Sequence, residues 1–302
     1  MYLGIDFLIS PGLRPFVVDV NVGLPGGAQE YDRTFLVRAG LRSGIFEDIE
    51  AISRACYGKS FAGYLDTLAF LPSLKAFKLW MDGEGLLPAV IPPVLRLEDK
   101  WVQYRVLKGR VPMPATVPFD NAHQAAARSL LERCGSLVLK RRTGRGGRGF
   151  EIVREPGALR RRPDPAWPMI LQEHVDSRVD GYAVSIRALA FAGRFLCAYA
   201  NLARSAPSNH GVLAFVEPGD RFGLTNRTFE TVSFNEKSWE AQIWFGDETP
   251  SYLAHNLFED TVGRTSLLLP ESLWAEIRAA ALEIEQTYDR LDPASLPRAF
   301  FG

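Results

Sequence analysis

Apolar and polar positions alternate along this chain with two different periods. Residues 3–9 (LGIDFLI) and 16–20 (FVVDV) are apolar runs of strand length, separated by Ser10-Pro11-Gly12-Leu13-Arg14-Pro15. Turn-forming residues between two such runs predict a hairpin. Strand side chains alternate faces, so Asp19 and Asn21 point the same way. Gly23-Leu24-Pro25-Gly26-Gly27 then reads as a loop. Ile45, Ile49, Ile52 and Cys56 recur at helical spacing and predict an amphipathic helix. The weaker pattern over 60–96 predicts a helix at 73–81 and a strand at 89–91. A short helix is expected over 98–108, then an extended Val111-Pro112-Met113-Pro114. Asp120 or Asn121 caps a further helix that runs to Cys134 and ends at Gly135.

The centre of the chain is strand-rich. Residues 137–140, 150–153 and 169–175 read as strands, and 185–191 pairs with 194–201 through Ala192-Gly193. The C-terminal part is helical, because Leu273, Ile277, Ile284 and Tyr288 share one face. No internal repeat is visible, and Arg160-Arg161-Arg162-Pro163 is a brief basic loop.

Composition narrows the classes of function. A chain of 302 residues can bury a large core and suggests about two domains. Its 35 basic and 35 acidic residues cancel, so no global field favours nucleic acid or an anionic membrane. Cys56, Cys134 and Cys197 have neither metal spacing nor disulfide density, which points to a reducing, cytoplasmic setting. No apolar run is long enough to span a bilayer, and the N-terminal stretch lacks the basic start and cleavage site of a secretory signal.

Three motifs carry candidate chemistry. Gly144, Gly146 and Gly149 satisfy G-x-G-x-x-G, with Gly147 between them, but a strand follows rather than a helix. That excludes a dinucleotide fingerprint, and no Gly-Lys-Ser/Thr follows to make a Walker loop. A hairpin flap remains, whose backbone N–H groups can approach phosphate oxygens; a flap without a ligand, or an arginine–glycine tip for RNA, fits equally on these residues alone. Lys140 lies within the apolar strand before the flap, where a lysine needs an anion or an exit to solvent. The plain alternative is an edge lysine that discourages aggregation. Gln172-Glu173 ends the next strand and offers polar groups to a base edge, or is an ordinary strand end.

Taken together, LVLKRRTGRGGRGFEIV, MILQEHV and YAVSIRALAFAGRFLCAYANLAR resemble the ATP-grasp ligases in order and spacing. Their closest flavour is that of the ribosomal-protein glutamate ligases and related amino-acid ligases. LEDKWVQYRVLKGRVPMPATV resembles the family's first lysine segment, and GIDFLISPGLRPFVVDVNVGLPGG resembles its metal segment. The metal segment normally closes the second half of that fold, after the helix matched here by 270–288; in this chain it stands first. The resemblance covers 1–27 and about 88–290.

It implies an α+β, ATP-grasp fold: two α/β half-domains with antiparallel sheets gripping ATP, circularly permuted, with a reduced N-terminal α/β domain. The implied organisation is 1–30 as permuted metal-binding strands of the C-terminal half, 31–96 as the reduced helical segment, 97–175 as the nucleotide-binding half and 176–302 as the C-terminal half. Lys100 and Lys140 would bind ATP phosphates, Gly144, Gly146, Gly147 and Gly149 would cover them, and Glu173 and Val175 would meet the adenine. Arg187, Arg204 and Asn209 would act on the phosphoryl group or the carboxylate substrate. Asp6, Asp19 and Asn21 would hold one or two magnesium ions, with manganese as a substitute. Two departures stand out: Asp19 replaces the usual glutamate, and Ser185 replaces a common acidic residue.

The implied reaction activates a small carboxylate, such as an amino acid or peptide, as an acyl-phosphate that an amine attacks, releasing ADP and phosphate. The implied setting is a cytoplasmic enzyme without nucleic acid or membrane, alone, as a homodimer or with a partner protein. The alternatives are a non-catalytic nucleotide-binding or regulatory protein on the same fold, and a nucleic-acid module using Arg141, Arg142, Arg145 and Arg148.

Overall fold

The computed structural model describes residues 1–22, 27–68, 93–143, 150–160, 168–203, 212–225, 232–233 and 261–296. Its first feature is the expected hairpin: β1 (Leu3–Ile9) pairs antiparallel with β2 (Pro15–Val22). Asn21 as well as Asp19 lies inside β2. The strand continues past the predicted end because its neighbour β1 runs opposite it as far as Leu3.

Two sheets follow from the remaining strands. β3 (Thr116–Phe119), β4 (Leu137–Arg141), β5 (Glu151–Val153) and β6 (Met169–Glu173) form a four-stranded antiparallel sheet in the order β3-β6-β4-β5. β7 (Arg178–Val179), β8 (Tyr182–Phe191), β9 (Arg194–Ala203), β10 (Val212–Gly219), β11 (Gly223–Leu224), β12 (Val232–Ser233) and β13 (Thr261–Pro270) join β1 and β2 in a second sheet. Its path is β11-β13-β10-β9-β8-β1-β2, with β12 on β13 and β7 on β8. β1 pairs antiparallel with β8, so Asp6 stands opposite Arg187. The turn between β8 and β9 is at Ala192-Gly193, whose φ values of 49° and 73° suit a tight hairpin connection.

Helices cover these sheets. They are α1 (Ala28–Ala39), α2 (Ile45–Tyr57), α3 (Phe61–Thr67), α4 (Lys100–Leu107), α5 (Gln124–Cys134) and α6 (Glu271–Arg290). On α6, Leu273, Ile277, Ala280, Ala281, Ile284 and Tyr288 recur three or four apart and are buried in one core with Leu3, Ile5 and Phe7. Burying each large apolar side chain stabilises the fold by roughly 1.5–3 kcal/mol. Strand alternation puts Leu3, Ile5 and Phe7 on one face and Asp6 on the other. On the Asp6 face, α1 packs Tyr31 and Val37 against Tyr199, Leu213 and Val262. The amine of Met1 ion-pairs with Glu285, and lies 3.3 Å from Asp289, near the end of α6. Beneath the small sheet, α5 buries Ala127, Leu130 and Leu131 against Leu137, Leu139 and Leu171. Among the described residues no helix is long and apolar enough to cross a membrane.

β2 ends the path of the large sheet, and its outer edge is satisfied by groups from the chain around α4 and the small sheet. Val17 N–H donates to the Pro112 carbonyl at 2.9 Å. Gln103 accepts from Val20 N–H at 3.1 Å and donates back to the Val20 carbonyl at 2.6 Å. Buried Glu98 accepts from Val22 N–H at 2.7 Å. An edge strand normally invites further pairing; these contacts close it and fasten the two sheets together.

Several boundaries move from expectation. Glu98 belongs to a 3-10 turn (Pro93–Glu98), and the helix starts at Lys100 because the Asp99 carboxylate caps it, accepting from Trp101 and Val102 N–H. Residues 121–123 form a 3-10 turn before α5, and β6 stops at Glu173. Helices α1 and α3 and strands β3, β7 and β10 to β13 were not anticipated. The helix predicted at 73–81 and the strand at 89–91 lie outside the described residues.

Candidate functional site

The site grows from a row of side chains running across three strands of the large sheet. Asp19 on β2, Asp6 on β1 and Arg187 on β8 stand opposite one another in register, and Tyr199 on β9 continues the row. The row meets an irregularity between Asp6 and Phe7, where the partners on β2 jump from Asp19 to Val17. Val18 is left out of the ladder as a bulge residue, and bulges re-aim the groups around them. The Val18 carbonyl accepts a hydrogen bond from Lys140 Nζ at 2.9 Å. Lys140 belongs to β4 of the other sheet, so this bond crosses the junction between the sheets.

Each carboxylate in the row faces a cation. Asp6 takes a fork from Arg187, with Nε 2.6 Å from Oδ1 and Nη2 2.8 Å from Oδ2. Asp19 Oδ2 lies 3.1 Å from Lys100 Nζ at the start of α4. Asn21 is buried, and its amide donates at 3.4 Å to Asp6 Oδ2 and at 3.4 Å to the Gly4 carbonyl. Burial would raise the proton affinity of Asp19, but Lys100, Lys140 and Arg187 outweigh it and hold the carboxyl below its ordinary range. Burial acts against the charge of Arg187, yet Asp6 beside it more than offsets that, so the guanidinium stays charged. Lys140 is different. Burial depresses its pKa to about 8, with neighbouring Lys100 adding to the fall and Asp19 and Asp6 opposing it.

Three cations (Lys100, Lys140, Arg187) stand among the carboxylates Asp6 and Asp19, with Glu30 acting on Arg187 and Glu98 on the edge of β2. The cluster's donors toward a metal are hard oxygens: two carboxylates and an amide at neighbouring positions on one face. That set suits magnesium only with an anion supplying further oxygens, because both carboxylates already face cations and, among the described residues, no three His, Cys, Asp or Glu side chains gather around a common point.

The sequence-predicted residues fall into three groups. Asp6, Asp19, Asn21, Lys100, Lys140 and Arg187 come together across the sheet junction. Glu173 and Val175 lie three and five positions beyond Ile170, the cross-strand partner of Lys140. The Glu173 carboxylate accepts from Ala115 N–H at 3.2 Å. Gly144, Gly146, Gly147, Gly149, Arg204 and Asn209 lie outside the described residues.

The nucleic-acid alternative loses one of its four arginines. Arg142 cannot contribute to a basic nucleic-acid tip, because it is buried and forks onto Asp99. Sequence reasoning missed that pair, as it missed Glu98, Gln103 and Gly27. Asp99 had a readable signal, an acidic residue immediately before a helix. Gly27 has φ +121°, and a Cβ there would stand 2.9 Å from Leu189 Cδ2 and 3.4 Å from both Arg187 Cδ and Tyr199 Cε1. Only glycine lets the chain entering α1 press this closely on the row.

Fold and site together define an α+β protein with a cation–carboxylate cluster at the junction of two sheets. No family model matches the chain, and no curated protein matches it. Among solved structures, it is similar to a protein from Methylobacillus flagellatus KT provisionally named gamma-glutamylcysteine synthetase, with a TM-score of 0.48 and 11% identity over 96% of this chain and 89% of that one. It is also similar to the D-cycloserine synthetase DcsG, with a TM-score of 0.33 and 16% identity over 74% of this chain and 80% of that one. Likenesses this slight fix neither family nor activity.

Proposed function

We propose that this protein is an ATP- and magnesium-dependent ligase of the ATP-grasp type, joining a carboxylate to an amine. The observation that carries the reading is the meeting of Lys100 and Lys140, from two separate elements, with Asp6, Asp19 and Arg187 from the opposing sheet. Two lysines brought to one junction can hold and orient a polyphosphate, and Arg187 would face the charge that builds up on a transferred phosphoryl group. Along β6, Glu173 lies three residues, roughly 10 Å, from the position opposite Lys140. An extended nucleotide would run along that strand end, its base near Glu173 and Val175 and its phosphates at the lysines.

The reaction balances without a protein nucleophile. A substrate carboxylate oxygen attacks the γ-phosphorus, the bond to the bridging oxygen breaks, and ADP leaves. The amine nitrogen then attacks the acyl carbon, phosphate departs, and the nitrogen loses a proton to water. Magnesium, held by Asp6, Asp19 and Asn21, would supply charge neutralisation at the phosphate oxygens. Lys100 and Lys140 anchor the phosphates, and Arg187 leaves Asp6 as the anion arrives.

The order of motifs reads as a circular permutation, with residues 1–30 belonging to the half formed by 176–302. Supporting this, β1 and β2 join β8 in one sheet within one chain, and Met1 sits by Glu285 on α6. The expected nearness of Gly302 concerns a residue outside those described. A second reading, a nucleotide-binding regulator, is favoured by the same cations that neutralise Asp6 and Asp19.

Two measurements decide. Amino acids and small carboxylates, screened with amines, should give amine-dependent ADP release; AMP as the stoichiometric product removes the acyl-phosphate route, and ATP binding without any turnover favours the regulator. Lys140→Ala should weaken ATP binding at least tenfold, about 1.4 kcal/mol, in a protein that still folds. Unchanged affinity would sink the assignment of Lys140.

A further inference from the structure

The two lysines sit on elements that share no strand pairing, and like charges held close together repel. Something must fix them, and one buried contact lies between them in the fold. Asp99 precedes Lys100, and Arg142 follows Lys140 by two residues. Arg142 forks onto Asp99, with Nε 3.0 Å from Oδ1 and Nη2 on Oδ2, and the two residues are 8% and 2% exposed. The backbone repeats the link: Lys100 N–H donates to the Arg142 carbonyl at 2.9 Å, and Arg142 N–H donates to the Pro168 carbonyl at 2.9 Å. The same Asp99 carboxylate caps α4, accepting from Trp101 N–H at 2.9 Å and Val102 N–H at 3.4 Å. One carboxylate thus sets the start of the helix that carries Lys100 and holds it against the chain end that carries Lys140.

A buried ion pair is weak support for stability, because desolvation consumes most of the attraction. An uncharged pair of similar size would fill the space at least as well. What such a pair gives is geometry, since a guanidinium–carboxylate fork fixes both distance and angle. We infer that Asp99 and Arg142 are positioning residues: their fork locks Lys100 and Lys140 into a single unit that receives an anion between the sheets. The inference rests on the reading of those lysines as the phosphate-holding pair.

The test is a double-mutant cycle on binding of ATP with magnesium, measured by calorimetry. Asp99→Asn with Arg142→Gln removes both charges, strands neither, and keeps a good helix cap, since asparagine caps as well as aspartate. In the wild type, Lys100→Met should weaken binding about tenfold or more, as expected for the loss of a charged contact. In the uncharged background, binding should already be weaker by a similar factor, and Lys100→Met should add less than about twofold. Equal effects of Lys100→Met in both backgrounds, with both proteins folded, would show that the pair only supports the fold, and the inference falls. If the double variant does not fold, Arg142→Lys keeps the charge, gives up the fork and carries the same cycle; failure of that protein to fold also makes the pair structural and ends the inference. Wild-type protein that binds no ATP defeats the proposed function instead, and that result is visible before any variant is made.

Discussion

The two walls of the site are built by different physics. The carboxylate wall is a row on adjacent strands: Asp19, Asp6 and Arg187 hold their places because β2, β1 and β8 are in register, and that register is set by the apolar face beneath. The lysine wall stands on a four-stranded sheet and an eight-residue helix. Its position depends on buried polar contacts: the Asp99–Arg142 fork, and the Glu98, Gln103 and Lys140 bonds to the edge of β2. A wall fixed by hydrophobic register should fail all at once. One fixed by polar contacts should loosen while the fold survives.

The largest effect should come from the core under the carboxylates. Phe7 is fully buried on β1, beside the bulge that frees Val18. Phe7→Ala should cost about 3–5 kcal/mol, read as a lower urea midpoint with the slope unchanged. Gln103→Leu keeps the size but strands the Val20 N–H, the Val20 carbonyl and the Leu97 carbonyl. It should cost about 1–3 kcal/mol and weaken ATP binding more than that loss alone explains. If Gln103→Leu unfolds the protein as thoroughly as Phe7→Ala, the contrast between the walls is wrong.

What the sequence disclosed follows the same division. β1, β8, β9 and α6 were legible because their apolar periodicity is the cause of their structure, and Asp6 and Asp19 were visible as charges interrupting it. Lys140 was legible for the same reason. The fork between Asp99 and Arg142 was not, because residues 43 apart in sequence leave no local sign that they meet. Gly27 was read as a loop residue; the reason it must be glycine is the nearness of Leu189, Arg187 and Tyr199, which exists only after the sheet has formed. The later strands were missed because β10 and β13 pair in parallel across a long separation, without a hairpin signal between them.

Gly27 offers a finer test of the carboxylate wall. Gly27→Ala adds a Cβ at φ +121° against Leu189 and should cost at least about 1 kcal/mol. It should also push α1 away from Arg187 and Tyr199 and so reduce turnover more than ATP affinity. An equal loss in both would mean that Gly27 matters only to folding.

The smallest effect, and the one most specific to the lysine wall, is a pH dependence with two opposite signs. The folded pKa of Lys140 is about 8, against an ordinary 10.5. Below about pH 8 the ammonium is charged in both states, and the folded protein carries the whole cost of burying it. Between about 8 and 10.5 the unfolded chain holds that proton more tightly, so this group's contribution to stability improves as pH rises. Binding of ATP should move the other way over the same interval, because the neutral amine no longer attracts phosphate. Asp19 gives the acid-side counterpart: its stabilising contribution is present above 3.8 and is lost as pH falls through its lowered folded value. Lys140 is half-buried, so water screens part of the change and the slope will be shallow. Comparing wild type with Lys140→Met removes the other titrating groups. The wild type should gain stability relative to the variant from pH 8 to 10 while its affinity for ATP declines. A flat difference, or stability and affinity rising together, would mean that Lys140 is not held at the junction between the sheets, and that the lysine wall is an exposed surface.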